Sequence, residues 1–555
     1  MTSKSTAGET LVIRLLLAAA VLLVFGRTLG HDFVDWDDRA LIYGNPNLNP
    51  PTLWGLSRQW IPSDPNNDMM YDPIVFTVWW GLAHVARTAA PDLLGATLNP
   101  VWFHAANVAV HLGAVLVVFE ILLKLRLPRW PAAGGAMVFA IHPLQVEAVA
   151  WATGMKDLLS GFFALAAIWR YLAAGDSKKP TVNYLVSTGL FVLALLCKPS
   201  TVVVPVIAGV LDVMVLGRSW KRAAMWLWPW AIFAAGAGVV AAMIQPAQGS
   251  PENVWYLRPL IAADALAFYL GKLVFPVGMN FDYGRTPAMV LSDPALPLYW
   301  IWAFPAAVAG VIAWLKRPML SAGAWVFMLG VLPVLGLTPF IYQTYSTVAD
   351  RYVYVSMLGA GTAAAWALGR MSPRSAAFIA AVVLVILGSL SVAQAGRWKD
   401  TRLLFEYSEQ INPNRFNPLH LDSLGRYYDR LSGGRADENL NRAIACYQRS
   451  IQLDPLYPHV YDVLCDELIR AGRFDEAIDV GKSLMEVQPR LTDQQREKPE
   501  VLEYRLGMLY FRAGRYSEAE EEFRESISTG PTPDAGKMLK ISQDRIAATQ
   551  SSTRG

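Results

Sequence analysis

The sequence predicts an all-α protein in two parts: a multi-pass transmembrane helical bundle of about eleven crossings over residues 1–396, followed by a short soluble array of helical repeats. Three observations predict it. Residues 1–396 hold 25 of the 48 Lys/Arg and 19 of the 45 Asp/Glu, roughly one charge in nine residues, whereas residues 397–555 hold the rest, roughly one in three. Apolar runs of about 20 residues, the length that crosses a ~30 Å hydrocarbon core, recur through the first part. In the second part proline and alanine recur at spacings of 34 and 42 residues.

The composition also excludes classes. A net charge of +3 with mixed-sign charges in the tail lacks the basic stripe that nucleic acid requires, so no nucleic-acid partner is expected. Disorder and collagen-like repeats are ruled out by 54% hydrophobic residues and 20 Trp. Cysteines at 197, 446 and 465 form no CxxC or Cys/His cluster, which leaves at most one bridge, Cys446 to Cys465.

Along the chain, the apolar runs lie at 11–30, 99–122, 131–150, 155–173, 182–197, 200–216, 223–244, 298–315, 322–339, 352–369 and 375–395. The run at 200–216 is short for a crossing. Residues 73–90, with His84 and Arg87, and 258–276, with Arg258 and Lys272, read better as interfacial or re-entrant helices. No small-residue cleavage site follows the first run, so it is expected to stay as an anchor. Lys and Arg beside short loops resist translocation and mark the cytoplasmic side. They cluster at Lys124, Arg126 and Arg129, at Arg170, Lys178 and Lys179, at Arg218, Lys221 and Arg222, at Lys316 and Arg317, and at Arg370 and Arg374. All five loops fall on one side, which places the N-terminus in the cytoplasm and the tail beyond 396 outside.

In that tail, Pro413, Pro455, Pro489 and Pro531 recur with Ala443, Ala477 and Ala519. Thirty-four residues is the tetratricopeptide period, and 42 is that period plus an eight-residue insertion. The last unit carries Leu506, Gly507, Tyr510, Gly514, Tyr516, Ala519, Phe523 and Pro531 at the pattern's positions. The expected organisation is a junction at 397–416, three repeats over 417–533 and a C-terminal tail at 534–555. Such an array forms a small groove for a peptide or protein partner; a purely structural cap on the membrane part is the plainer alternative.

Three constellations carry candidate chemistry. Seven acids, Asp32, Asp35, Asp37, Asp38, Asp64, Asp68 and Asp72, crowd the first external loop against only Arg39 and Arg58. Turn chemistry beside Pro65, Asn66 and Asn67 accounts for Asp64 and Asp68 as solvated loop residues. Asp37 and Asp38 sit instead in the aromatic run FVDWDDRALIY, where adjacent carboxylates repel and one pKa rises, which suits a base. The second constellation is HPLQVEAVAW, with His142 and Glu147 at the external end of the third run; an ionisable group at that depth is costly and often functional. Pairing with Lys156 or capping of the next helix would be a structural role for Glu147. His104, Asn107 and His111 share one helix face and are expected to line a wet interior. The third is TYSTVADRYVYVS, in which Arg351 among Tyr345, Tyr352 and Tyr354 offers a fixed cation suited to phosphate, or an interfacial anchor beside Asp350. No metal-ligand spacing is visible and no cofactor is expected; a carboxylate-held divalent ion stays open.

WDD in the first loop, AMVFAIHPLQVEAVAWATGMKDLLSGFF, YLGKLVFPVGM, ADRYVYVS and GRWKDTRLLFEYSEQINPN, in this order from about residue 30 to the repeats near 530, resemble the transmembrane and tetratricopeptide-repeat O-mannosyltransferases and their bacterial relatives. The resemblance implies a C-type glycosyltransferase fold, and an enzyme that takes a sugar, mannose first, from a polyprenyl-phosphate carrier. Transfer, inverting in form, would go to an acceptor hydroxyl on protein at the external face. The family's first-loop acidic pair maps onto Asp37 and Asp38, and its HPxxxE acid onto Glu147. Arg351 or Lys198, with His142 and Tyr352, would contact the carrier phosphate, and the repeats would hold the acceptor. The setting implied is a bacterial inner membrane with periplasmic repeats, or the lumenal face in a eukaryotic host. Three departures stand out: Gln145 in place of a second histidine, the Lys198-Pro199-Ser200 sequence where an acid often follows the lysine, and an array of only three repeats. Two other readings are a non-catalytic membrane scaffold that assembles an envelope or secretion complex through its repeats, and a transferase acting on a lipid or glycan.

Overall fold

The computed structural model describes residues 2–62, 64, 70–92, 95–244, 255–293, 317–412, 417–493 and 495–552. Among these residues it is helical throughout with no strand, and it divides into two compact units, Met1–Pro413 and Asn414–Gly555.

The membrane unit opens with α1 (Thr2–Phe25), α2 (Leu53–Arg58), α3 (Pro73–Ala86), α4 (Val101–Lys124), α5 (Arg129–Ile141), α6 (Val146–Ala150), α7 (Met155–Ala174) and α8 (Pro180–Cys197). Six described helices are long and apolar enough to cross a membrane, and α5 with Pro143–Ala150 makes a seventh, bent by 51°. Shorter apolar helical stretches at Pro73–Ala86, Pro199–Val215, Pro318–Val334 and Met357–Leu368 fall at four of the remaining apolar segments. The run at 298–315, the basic Lys316 and Asp68 lie outside the described residues.

The bend in the third span follows from its sequence. Pro143 disfavours helical backbone at the residue before it, and His142 adopts an extended conformation there. Carbonyls freed by such a break inside a membrane must find other donors. They do: His111 Nε2 lies 2.9 Å from the Ala140 carbonyl, Ser391 Oγ donates to Ile141 at 2.7 Å, and Gln145 Nε2 donates to Phe139 at 3.2 Å. A second break at Trp151 is served by Asn107, whose amide donates to the carbonyls of Trp151 at 2.6 Å and Val149 at 3.3 Å. The face of His104, Asn107 and His111 is buried, and Asn107 and His111 on it serve the two breaks. Gln145, the departure from the histidine pattern, contributes to the same repair.

The junction motif also folds with the membrane unit. Asp400 caps the helix Thr401–Ile411 by accepting from the Leu403 N–H at 2.8 Å. Trp398 is buried against Trp151, and Phe405 against Phe281.

The second unit contains three helix pairs, Pro418–Ser432 with Glu438–Leu453, His459–Arg470 with Phe474–Val487, and Pro499–Arg512 with Tyr516–Thr529. Ala443, Ala477 and Ala519 are all buried, as expected of small residues that let paired helices approach. The segment expected as a tail forms a further helix, Ala535–Ser552, packed on the last pair; its Ala535 is buried, so the final repeat does not end on open apolar surface. The cysteines are all thiols, so the Cys446–Cys465 bridge does not form.

Candidate active site

The breaks that shape the third span also aim its acid. Glu147, buried on α6, accepts the backbone N–H of Arg351 at 3.0 Å on one oxygen and forms an ion pair with the Arg351 guanidinium through the other. Its partner is thus Arg351, 204 residues away in the chain, and not Lys156. The guanidinium also lies over the rings of Tyr342 at 4.4 Å, Tyr352 at 5.0 Å and Trp151 at 5.4 Å. A planar cation held by a carboxylate and stacked on three rings has little freedom, which preorganises its outer edge.

Lys198 stands beside it. Its ammonium lies 5.1 Å from the centre of the same Tyr352 ring and 2.5 Å from Asp157 Oδ1. Two cations thus share one aromatic ring, and each has its own carboxylate. Lys198, Arg351, Tyr352 and Asp157, with Ser160, Ser200 and Thr201, line a cleft together with the apolar Val203, Val204, Val334 and Val355. Close packing defines its floor. A Cβ at Gly161 would stand 2.3 Å from the Tyr354 ring, and the Tyr354 hydroxyl is 2.9 Å from His111 Nδ1. Gly161→Ala is therefore expected to displace Tyr354 and cost about 1–3 kcal/mol of stability through overpacking, read as a lowered melting temperature in detergent.

His142, matched to a phosphate contact by resemblance, is buried away from such use. Its Nδ1 accepts the Leu144 N–H at 3.2 Å, and its Nε2 is 3.1 Å from the Leu273 carbonyl. The first serves the helix break, and the second ties it to the end of the helix Arg258–Val274. Asp64 also departs from its expected solvated state: it is buried, paired with Arg58, and accepts from Asn47 Nδ2 at 3.2 Å.

The first-loop pair splits into two different environments. Asp38 is fully buried; Oδ2 accepts the Val34 N–H at 2.8 Å, and Oδ1 accepts the Thr153 N–H at 3.0 Å and the Thr153 hydroxyl at 2.6 Å. Burial pushes its carboxyl up to about 7, against the pull of those donors. A carboxyl near neutrality suits a base, but these oxygens are already occupied and closed to an incoming hydroxyl. Asp38 clips the loop to the turn before α7. Asp37 is only half-buried. Its neighbour Trp36 packs 5.5 Å from Phe281 and 5.5 Å from Tyr345, and Tyr345 is 6.0 Å from Tyr342, one of the rings beneath Arg351. The same loop is held by the junction motif: the Asp32 N–H donates to the Lys399 carbonyl at 2.9 Å and the Asp35 N–H to Thr401 Oγ1 at 2.9 Å.

Glu147, Arg351, Tyr352 and Lys198 are therefore brought together, and a ring-to-ring path leads from them to the loop carrying Asp37. Two further acids stand near this group: Asp157, to which sequence reasoning gave no role, and Asp72, which it counted only among the first-loop acids. Asp157 lay in plain view in the KDLL run, where a charge pair inside an apolar helix was its signal. Asp72, buried at the head of α3, is pushed up to about 6 by burial while Lys156 and Lys198 pull it down.

Comparison with known proteins adds a second line. A tetratricopeptide-repeat model matches residues 504–531. Human protein O-mannosyl-transferase TMTC4 is 24% identical over 479 residues, covering 72% of this chain and 62% of its own length. The resemblance to the O-mannosyltransferases holds. Human TMTC1 is 30% identical over a shorter stretch of 171 residues, 28% of this chain and 17% of its own. The chain thus spans about three fifths of the length of its human TMTC4 relative. Among solved structures, the oligosaccharyltransferase AglB of Archaeoglobus fulgidus, in complex with an inhibitory peptide and a dolichol-phosphate, superposes with a TM-score of 0.41 at 12% identity over 70% of this chain and 56% of that one. With its apolar helices, the chain is an integral, multi-pass membrane protein.

Proposed function

We propose that the chain is a membrane glycosyltransferase that moves a sugar, mannose first, from a polyprenyl-phosphate carrier to an acceptor hydroxyl on protein at the external face of the membrane. The observation that supports this most is the pair of cations, Arg351 and Lys198, on the one Tyr352 ring in a cleft with apolar surface beside them. A lipid phosphate asks for that combination: fixed positive charge for its head and hydrocarbon contact for its chain.

In the reaction, the acceptor oxygen attacks the anomeric carbon, the bond from that carbon to the phosphate oxygen breaks, and inversion results. Asp37 takes the hydroxyl proton, a role worth about 100- to 10,000-fold. The electron pair leaves on the carrier phosphate, whose charge Arg351 and Lys198 offset. Glu147 acts through Arg351, and Asp38 acts by holding the loop. The repeats hold the protein acceptor. The decisive test gives purified full-length protein in nanodiscs several polyprenyl-phosphate sugars with acceptor peptides, and follows glycopeptide mass. Turnover with at least one sugar is expected. Inactivity with all of them, alongside capture of an envelope protein by the repeats, would return the scaffold reading.

The external placement rests on the basic loops and has its own check. Tags placed after Arg129 and after Arg222 are expected on the cytoplasmic side and a tag after Gly555 on the other, by labelling with a membrane-impermeant reagent. A cytoplasmic C-terminus would put the site on the wrong face.

A further inference from the structure

Asp157 is buried, and its two oxygens are treated differently by the protein. Oδ1 takes the Lys198 ammonium at 2.5 Å, whereas Oδ2 is buried with no hydrogen-bond partner. An orphaned carboxylate oxygen in a low-dielectric interior is costly and calls for a donor. Three of the donors nearby have other partners. Ser160 Oγ donates to the Asp157 carbonyl at 3.2 Å, Thr201 Oγ1 donates to the Lys198 carbonyl at 2.9 Å, and the Arg351 guanidinium pairs with Glu147.

Asp157 lines the cleft, so its missing donor has a place to come from. A sugar phosphate meets both needs of this wall: the phosphate offers acceptors to Lys198 and Arg351, and the ring offers hydroxyl donors next to it.

We propose that Asp157 determines sugar specificity: Oδ2 accepts a hydrogen bond from one hydroxyl of the donor sugar, while Oδ1 keeps Lys198 beside the phosphate. This rests on the glycosyltransferase reading above and adds to it the residue that tells one sugar from another. No bond to Asp157 forms or breaks.

The experiment measures binding of polyprenyl phosphate, polyprenyl-phosphate mannose and a set of single-deoxy mannose analogues to the full-length protein in nanodiscs. The wild type is expected to bind one deoxy analogue about 10- to 100-fold more weakly than the parent, the scale of a hydrogen bond to a charged group. In Asp157→Asn that ratio collapses toward one, while the ratios for the other analogues stay put. Asp157→Glu keeps the charge for Lys198 but moves the second oxygen by one methylene, and the same ratio falls there even if the Asn variant fails to assemble. Lys198→Met should instead weaken every lipid phosphate, including the one without sugar, and preserve the deoxy ratio. Identical deoxy profiles in wild type and both Asp157 variants overturn the proposal while leaving the transferase reading intact. Failure of the wild type to bind any of these lipids overturns both.

Discussion

Replacing Asp37 by Asn is expected to cut sugar transfer by about two orders of magnitude or more while leaving membrane insertion and melting temperature unchanged. The substitution removes a proton acceptor from a half-buried position and keeps the side chain's shape. Asp38→Asn makes the contrast. Its three donors, the Val34 N–H, the Thr153 N–H and the Thr153 hydroxyl, require acceptors on both oxygens, and an amide turns one acceptor into a donor facing another donor. That variant should lose about 1–3 kcal/mol of stability as well as activity, because the loop comes unclipped. Transfer rates and melting curves of the two variants, run side by side, check the division of labour. Full turnover in both would remove the acid–base role from this loop, and an unchanged melting temperature in Asp38→Asn would remove the clip.

The largest stability effect is expected at the Glu147–Arg351 pair. Truncating either partner leaves a buried charge without compensation, a loss of about 3–5 kcal/mol. Arg351→Ala and Glu147→Ala should therefore both melt well below the wild type and both be inactive. The double variant Glu147→Gln with Arg351→Gln removes both charges at once and should melt above either single variant, with transfer still absent because the cation on Tyr352 is gone. Arg351→Lys separates charge from shape. It keeps a cation but loses the planar stack on Tyr342, Tyr352 and Trp151, so it should assemble better than Arg351→Ala and still turn over poorly. Strict additivity of the Glu147 and Arg351 effects would show that the two side chains do not act as a unit.

The two-part helical plan could be read from charge density and repeat period because both are sums over many residues. The breaks could not. Hydropathy adds up apolarity across a window, so 131–150 reads as one run although Pro143 bends it by 51°, and Pro199 and Pro205 similarly interrupt the apolar stretch after Cys197. Those breaks bring Glu147 to Arg351 and give Asn107 and His111 their buried partners, the freed carbonyls of Val149, Trp151 and Ala140. Within the site, Glu147, Arg351, Lys198 and Tyr352 announced themselves as charge or phenol in apolar surroundings. Which of Asp37 and Asp38 is fully buried was not legible, since it depends on Thr153, 115 residues downstream of Asp38. The KDLL run displayed Asp157 but not its partner, since Lys198 is 41 residues away.

The ties from the first loop to Lys399 and Thr401 have a consequence for biosynthesis. The loop carrying Asp37 leaves the ribosome early, yet the carbonyl and hydroxyl that hold it at Asp32 and Asp35 belong to residues made more than 360 positions later. A nascent chain with most of its spans inserted thus carries its base without holding it in place. Only when the last membrane helix has been threaded and the WKD turn has followed it is the loop fastened, so a chain cut short before that turn leaves the Asp37 loop without these two ties.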